Sequence, residues 1–217
     1  AKKLHVASME TAKEAERGIV DLETLKKSVA EFAAFTAGLA EADPAEGLRT
    51  GIELDESAHN MALNNAQLNK IPLRLKSICA DAANLDGIVD SGSFSCCVSN
   101  PPYFTGGPQS KTAPLARHTD SCSLADLCKA AAWALQYGGD FYLVHKPEKL
   151  AQLIGCASSS GLEAKRLLLV RHRPDAPVAM VALQFRKGGK PGLIWEELCL
   201  HNADGSVTDE YRSIYHI

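Results

Sequence analysis

The stretch FSCCVSNPPYF, Phe94–Phe104, runs from small and apolar residues into asparagine, two prolines and an aromatic pair. Its first seven residues read as a buried strand. The prolines end it, because each fixes its own φ and neither offers an N–H to a sheet ladder. Each proline also biases the residue before it toward extended backbone. The result is a stiff projection at a strand end. It holds the Asn100 carboxamide and the Pro101 carbonyl toward one point, with Tyr103 beside them as a flat wall. Two acceptors next to an aromatic plane suit a planar group bearing –NH2. A bare Asn-Pro-Pro would be no more than a rigid turn; its place at the carboxyl end of a strand in an α/β sheet favours the binding reading.

On either side of this turn, strand and helix patterns alternate. GIVDL (Gly18–Leu22) reads as a short first strand. A helical period follows, with Leu22, Leu25, Val29, Phe32 and Leu39 at three- and four-residue steps. LRTGIELD (48–55) reads as a strand, ESAHNMALNNAQLNK (56–70) as a helix and LRLKSICAD (73–81) as a strand. After the Asn-Pro-Pro-Tyr turn, Phe104–Ser123 is a long irregular stretch. SLADLCKAAAWALQYGG is then a helix, with Ser123 as N-cap and Gly138-Gly139 as its stop. DFYLVHK (140–146) is a strand. PEKLAQLIGCASSSG begins a helix on a proline and ends it at Gly161. AKRLLLVRH, APVAMVALQFRKGG and GLIWEELCLHN are β-rich, with no helix between the first two. Repeated β-α alternation implies a mostly parallel, doubly wound sheet, and the final β-β pairing implies an antiparallel edge. Ligands of such sheets sit outside the carboxyl ends of the strands, which here carry Glu53, Asp55, Asp81 and Asn100.

The chain of 217 residues, with a net charge of −3, suits one sizeable domain. No apolar run approaches the ~20 residues of a membrane span. The first residues carry two lysines but no apolar core, which is not the pattern of a signal peptide. The 7 cysteines are scattered and share no ligand spacing with the histidines. Free thiols in a reducing cytoplasm are therefore expected, and no metal site. Lys165, Arg166, Arg171, Arg173, Arg186, Lys187 and Lys190 face only Glu163 and Asp175 between residues 163 and 190. That is either a solvated hairpin or a phosphate-binding surface.

VSNPPYF resembles the catalytic motif of S-adenosylmethionine-dependent methyltransferases acting on exocyclic or amide nitrogens. GIELDESAHNMALNNAQLN, SFSCCVSNPPYFTGG, ARHTDSCSLADLCKAAAWALQYGGDFYLVHKPEKL and RKGGKPGL, in this order, resemble the bacterial tRNA(Val) adenine-N(6) methyltransferases. The resemblance implies a Rossmann-like class I methyltransferase fold and one methyltransferase domain over 1–217. Residues 51–217 carry the match, and 1–50 are an atypical N-terminal part. It implies S-adenosyl-L-methionine as cofactor and tRNA as partner. In its terms Glu53 accepts from the cofactor ribose hydroxyls. Asp81 and Ala82 flank the cofactor adenine, and Asp21 ends the first core strand. Asn100, Pro101, Pro102 and Tyr103 hold the target base. Phe104, Arg117, His118, Arg186, Lys187 and Lys190 meet RNA, whose target base must be swung out to reach the pocket.

One stretch departs from the family. Its glycine-rich loop corresponds here to VDLETLKKS, Val20–Ser28. Asp21 and Leu22 fit, but Glu23, Leu25 and Lys26 or Lys27 stand where glycine permits close approach to the cofactor. Three readings are open. The chain has lost cofactor binding and remains an RNA-binding relative; or Lys26 or Lys27 pairs the cofactor carboxylate; or segments are omitted or rearranged here. A protein glutamine amide or an rRNA guanine is the alternative substrate, since the same acceptors serve any planar –NH2.

Overall fold

The computed structural model describes residues 3–6, 49–68, 72, 75–101 and 122–215. These form one mixed eight-stranded sheet with helices packed on it. The strands are β1 (Lys3–Val6), β2 (Arg49–Glu53), β3 (Leu75–Cys79), β4 (Phe94–Ser99), β5 (Leu135–His145), β6 (Leu162–Arg171), β7 (Val178–Lys187) and β8 (Ile194–Cys199). Their order across the sheet is β3-β2-β1-β4-β5-β7-β6-β8. The helices are α1 (Glu56–Leu68), α2 (Leu124–Ala134), α3 (Leu150–Ser159) and α4 (Asp209–Tyr215).

The first strand corrects the sequence reading. Lys3–Val6 holds the centre of the sheet, parallel to β2 on one side and to β4 on the other. Gly18–Leu22, expected there, lies outside the described residues, as do Asp21 and the whole of Val20–Ser28. A four-residue strand carries too few positions for its alternation to stand out. What places it is pairing with Arg49–Ile52 and Cys96–Ser99.

The antiparallel strand is also not where the pattern put it. β7 runs antiparallel between β5 and β6, and the edge strand β8 is parallel to β6. The fold class stands, with its one reversed strand inside the sheet. Inserting β7 there buries Val181, Leu183 and Phe185 completely. Phe141 and Phe185, directly opposed on β5 and β7, stack at 6.1 Å and 27°. Leu127, Cys128 and Ala131 of α2 and Leu153 and Ala157 of α3 belong to the same core. Each such large apolar side chain contributes about 1.5–3 kcal/mol by leaving water.

α2 starts as its sequence dictates. The Asp126 N–H donates to Ser123 Oγ at 3.2 Å, and the Ser123 N–H donates to Asp126 Oδ2 at 3.3 Å, a reciprocal cap. It ends earlier than its glycines suggest. Leu135 is already extended, fully buried and paired with Phe94, so core packing stops the helix at Ala134. The ladder then shifts register before Asp140 pairs with Cys96. Gly139 packs there so closely that a Cβ would lie 3.0 Å from the Gln136 carbonyl oxygen and 3.1 Å from that of Ser95. The Pro147 turn is 3-10 (Pro147–Lys149) before α3 begins, and Gly161, at φ +77°, ends the turn after it.

Candidate active site

Five neighbouring parallel strands, β3, β2, β1, β4 and β5, deliver their carboxyl ends to one edge. β2 ends on Glu53, 7% exposed, whose carboxylate Oε1 accepts from the Asp55 N–H at 3.0 Å. Burial raises the Glu53 pKa, and the Asp55 and Leu54 N–H groups partly offset this. Asp55 itself caps α1: its Oδ1 accepts from the Ala58 N–H at 2.8 Å, as a helix start requires. His59 Nδ1 meets Ser77 Oγ at 2.7 Å and ties α1 to β3.

The β3 end is bound to the β2 end by the Ala80 N–H, which donates to the Glu53 carbonyl at 2.9 Å. Asp81 then closes a tight turn. Its Oδ1 accepts from the Ala83 N–H at 2.8 Å and its carbonyl from the Asn84 N–H at 3.1 Å, bonds that leave the Ala82 N–H out of the turn. Cys122, just before α2, stands beside this turn. Burial and then the Asp81 and Asp126 carboxylates push its thiol up to about 11. It is a neutral thiol beside Asp81 that the sequence reading did not single out.

β4 delivers Asn100 and Pro101, both half-buried, directly after the buried Ser99. Strands are about 4.8 Å apart, so the ends of β3 and β4 are roughly 14 Å apart across β2 and β1. The chain leaves β1 toward β2 on one side, while β4 pairs on the other. That reversal is the crevice in which doubly wound sheets bind nucleotides. One further group ends a strand here. His145 closes β5 and is 2% exposed, and its Nδ1 accepts from the Lys146 N–H at 2.8 Å. In the sequence it was one of seven scattered histidines. The available signal was a polar residue ending the apolar run FYLV.

Relatives with this pattern are named for one activity. A protein of Aeromonas hydrophila named tRNA1(Val) (adenine(37)-N6)-methyltransferase is 31% identical over 177 residues, 80% of this chain and 72% of the relative. The chain belongs to that family. A relative of the same name from Bacteroides fragilis is 31% identical over 137 residues, 62% of this chain. The chain spans 57% of the length of that relative. No family model matches the chain. The crystal structure of a predicted O-methyltransferase from Agrobacterium tumefaciens superposes with a TM-score of 0.68 at 16% identity, over 99% of this chain and 88% of that one, which shows the shared fold.

Within this frame Glu53, Asp81, Ala82, Asn100 and Pro101 come together at one edge. Pro102, Tyr103, Phe104, Arg117 and His118 lie outside the described residues. Arg186 and Lys187 of the basic hairpin stand away from this edge. Arg186 forms a two-point pair with Asp140, and Lys187 Nζ donates to the Leu135 carbonyl at 2.8 Å. Lys165 Nζ donates to the Lys190 carbonyl at 2.8 Å, and Arg166 meets Glu196 at 2.6 Å. Since Val181 faces His145 and Arg186 faces Asp140, Arg186 sits about five residues, roughly 16 Å, down β7 from the near edge, whereas Arg171, opposite Val178, stands at the near end. A cleft of about 310 Å³ lined by Asp86, Asp90, Ser91 and Trp133 also lies at that far end, before β4 begins.

The cofactor fits the residues present at the near edge. The buried Glu53 carboxylate already accepts from the Asp55 N–H, and its remaining lone pairs call for further donors. Ribose hydroxyls are such donors, and the Asp81 turn offers the Ala82 N–H to a ring acceptor.

Proposed function

We propose that this chain transfers a methyl group from S-adenosylmethionine to the exocyclic amino nitrogen of an adenine in tRNA, acting as one catalytic domain in the cytoplasm. The observation that carries this is the placement of Glu53 and Asn100-Pro101 at strand ends on either side of β1, in a chain of this family. Free cysteines support a reducing compartment, and no helix among the described residues is long and apolar enough to cross a membrane.

When bound, the cofactor supplies an electrophilic methyl group on a sulfonium. Glu53 and the Asp81–Ala82 turn would hold it by its ribose and adenine. The Asn100 carboxamide oxygen and the Pro101 carbonyl would each accept one amino hydrogen. That turns the nitrogen lone pair toward the methyl, and no base is needed beforehand. The surplus proton leaves the nitrogen after transfer, when its acidity has risen. Catalysis is then positioning in a water-poor site. The β4 turn stiffens this geometry, because Pro101 has a fixed φ and biases Asn100 toward extended backbone.

The test is labelled methyl transfer to unmodified tRNA, with the product nucleoside identified. N6-methyladenosine in tRNA is the expected product. Label in rRNA guanine or in a protein glutamine would replace the substrate. Absence of both transfer and cofactor binding would replace the reading by RNA binding alone.

A further inference from the structure

His145 is a polar side chain ending a strand whose preceding residues are Phe141, Tyr142, Leu143 and Val144. Burying an imidazole there costs free energy that a leucine would not. Its ring is fixed in one state. Nδ1 accepts the Lys146 N–H at 2.8 Å, so Nδ1 carries no proton and the neutral ring bears its hydrogen on Nε2. Burial and the Lys149 ammonium hold its pKa below the usual histidine value, in keeping with that neutral form.

The β4–β5 ladder says what the ring is near. Ser99 pairs with Leu143 in parallel register. Continued two residues past the end of β4, that register sets Pro101 beside His145, about one strand spacing (~4.8 Å) away. On its other side β5 is closed by β7, whose Val181 opposes His145 and is fully buried. The neighbouring strand on the β4 side ends in the amino-acceptor turn.

We propose that His145 is a positioning residue for methyl transfer, a neutral imidazole whose Nε2–H braces the Asn100–Pro101 turn from the end of β5. This rests on the functional reading above. A brace of this kind keeps the two acceptors at the spacing of an –NH2 group. Its loss displaces the turn without removing either acceptor.

The experiment compares the wild-type chain with His145→Leu and His145→Gln in steady-state methyl transfer to tRNA, alongside thermal unfolding. His145→Leu keeps the volume and removes the donor; His145→Gln restores an N–H. The leucine variant is expected to lose roughly 10- to 100-fold in kcat, as a displacement near 1 Å does, with KM for tRNA and cofactor within about twofold. The glutamine variant is expected to recover most of kcat. In imidazole NMR of the wild type, the Nε2 proton is expected to exchange slowly with water. Wild-type kcat in His145→Leu, equal losses in both variants, or a fast-exchanging Nε2 proton would each overturn the brace. A wild-type chain that transfers no methyl group would overturn the functional reading and this inference with it. An active wild type with an equally active His145→Leu overturns this inference alone.

Discussion

Arg186 and Asp140 meet at directly opposed positions of β7 and β5, Nε to Oδ1 at 2.8 Å and Nη2 to Oδ2 at 2.9 Å. The fork geometry matches a carboxylate at both oxygens. Asp140 is buried and the Arg186 side chain is 44% exposed, so the pair sits at a sheet boundary and not deep in the core. The bond to Asp140, and next its charge, raise the Arg186 pKa further.

Arg186→Ala should therefore act on stability. It strands a buried carboxylate, and because nearly half of the arginine is in water the cost should be about 1–3 kcal/mol, below that of a fully buried pair. Asp140→Asn in the same chain should recover part of it. Denaturant unfolding of the single and double variants measures both. Unchanged stability with weakened tRNA binding would mean that Arg186 acts on RNA and not on the fold.

On the proposed mechanism Asn100→Ala should lower kcat at least 100-fold, since it would delete one of two acceptors for the amino group; about 2.7 kcal/mol of transition-state positioning corresponds to that factor. Cofactor binding by calorimetry should stay within twofold, because Glu53 and the Asp81 turn are untouched. Normal turnover would remove Asn100 from the mechanism.

Glu53 should make cofactor binding depend on pH. Its folded pKa is raised, chiefly by burial. Ribose hydroxyls donate to the ionised form, so binding should weaken as pH falls through that raised value and should release protons there. The cofactor-free protein has the opposite sign. Its folded state holds the proton more tightly than the unfolded chain, so this contribution to stability is fully present below the ordinary carboxylate pKa of about 4.3 and lost as pH rises through the folded value. Titration calorimetry in buffers of different ionisation heat, and unfolding of Glu53→Gln across the same range, check the two signs. A pH-independent affinity would detach Glu53 from the cofactor.

Gly188→Ala should destabilise by roughly 1–2 kcal/mol. Gly188 has φ +66°, and a Cβ there would run into the Tyr137 ring, whose hydroxyl donates to the Gly188 carbonyl at 3.1 Å. Tyr137 is 79% exposed and can swing aside, so most of the cost should be backbone. Combining it with Tyr137→Ala should then recover little. Thermal unfolding decides this, and a large recovery would mean that the clash with the ring, not the backbone, accounts for most of the loss.

Local features were legible because neighbouring residues settle them. The Ser123 cap, the Gly161 stop and the strand ending at Asn100 all lie within a few residues of the groups that satisfy them. Glu53, Asp81 and Asn100 were placed correctly at strand ends for the same reason. The end of α2 was misplaced because Gly138-Gly139 signal a stop locally, while Leu135 is drawn into the core beside Phe94. The Arg186–Asp140 pair was not legible in the basic hairpin, because Asp140 lies 46 residues before Arg186 in the chain.

By itself, then, the sequence determined most of the alternating elements, the Ser123 cap, the end of β4 at the Asn-Pro-Pro turn and the family. Only the tertiary structure decided that Lys3–Val6 is the central strand, that β7 lies inside the sheet, and that His145 is buried at the end of β5, the strand next to β4. Periodicity reports which face of an element is apolar. Which strand pairs with which depends on surfaces far apart in the chain closing on one another, and that choice is made only when the whole core packs.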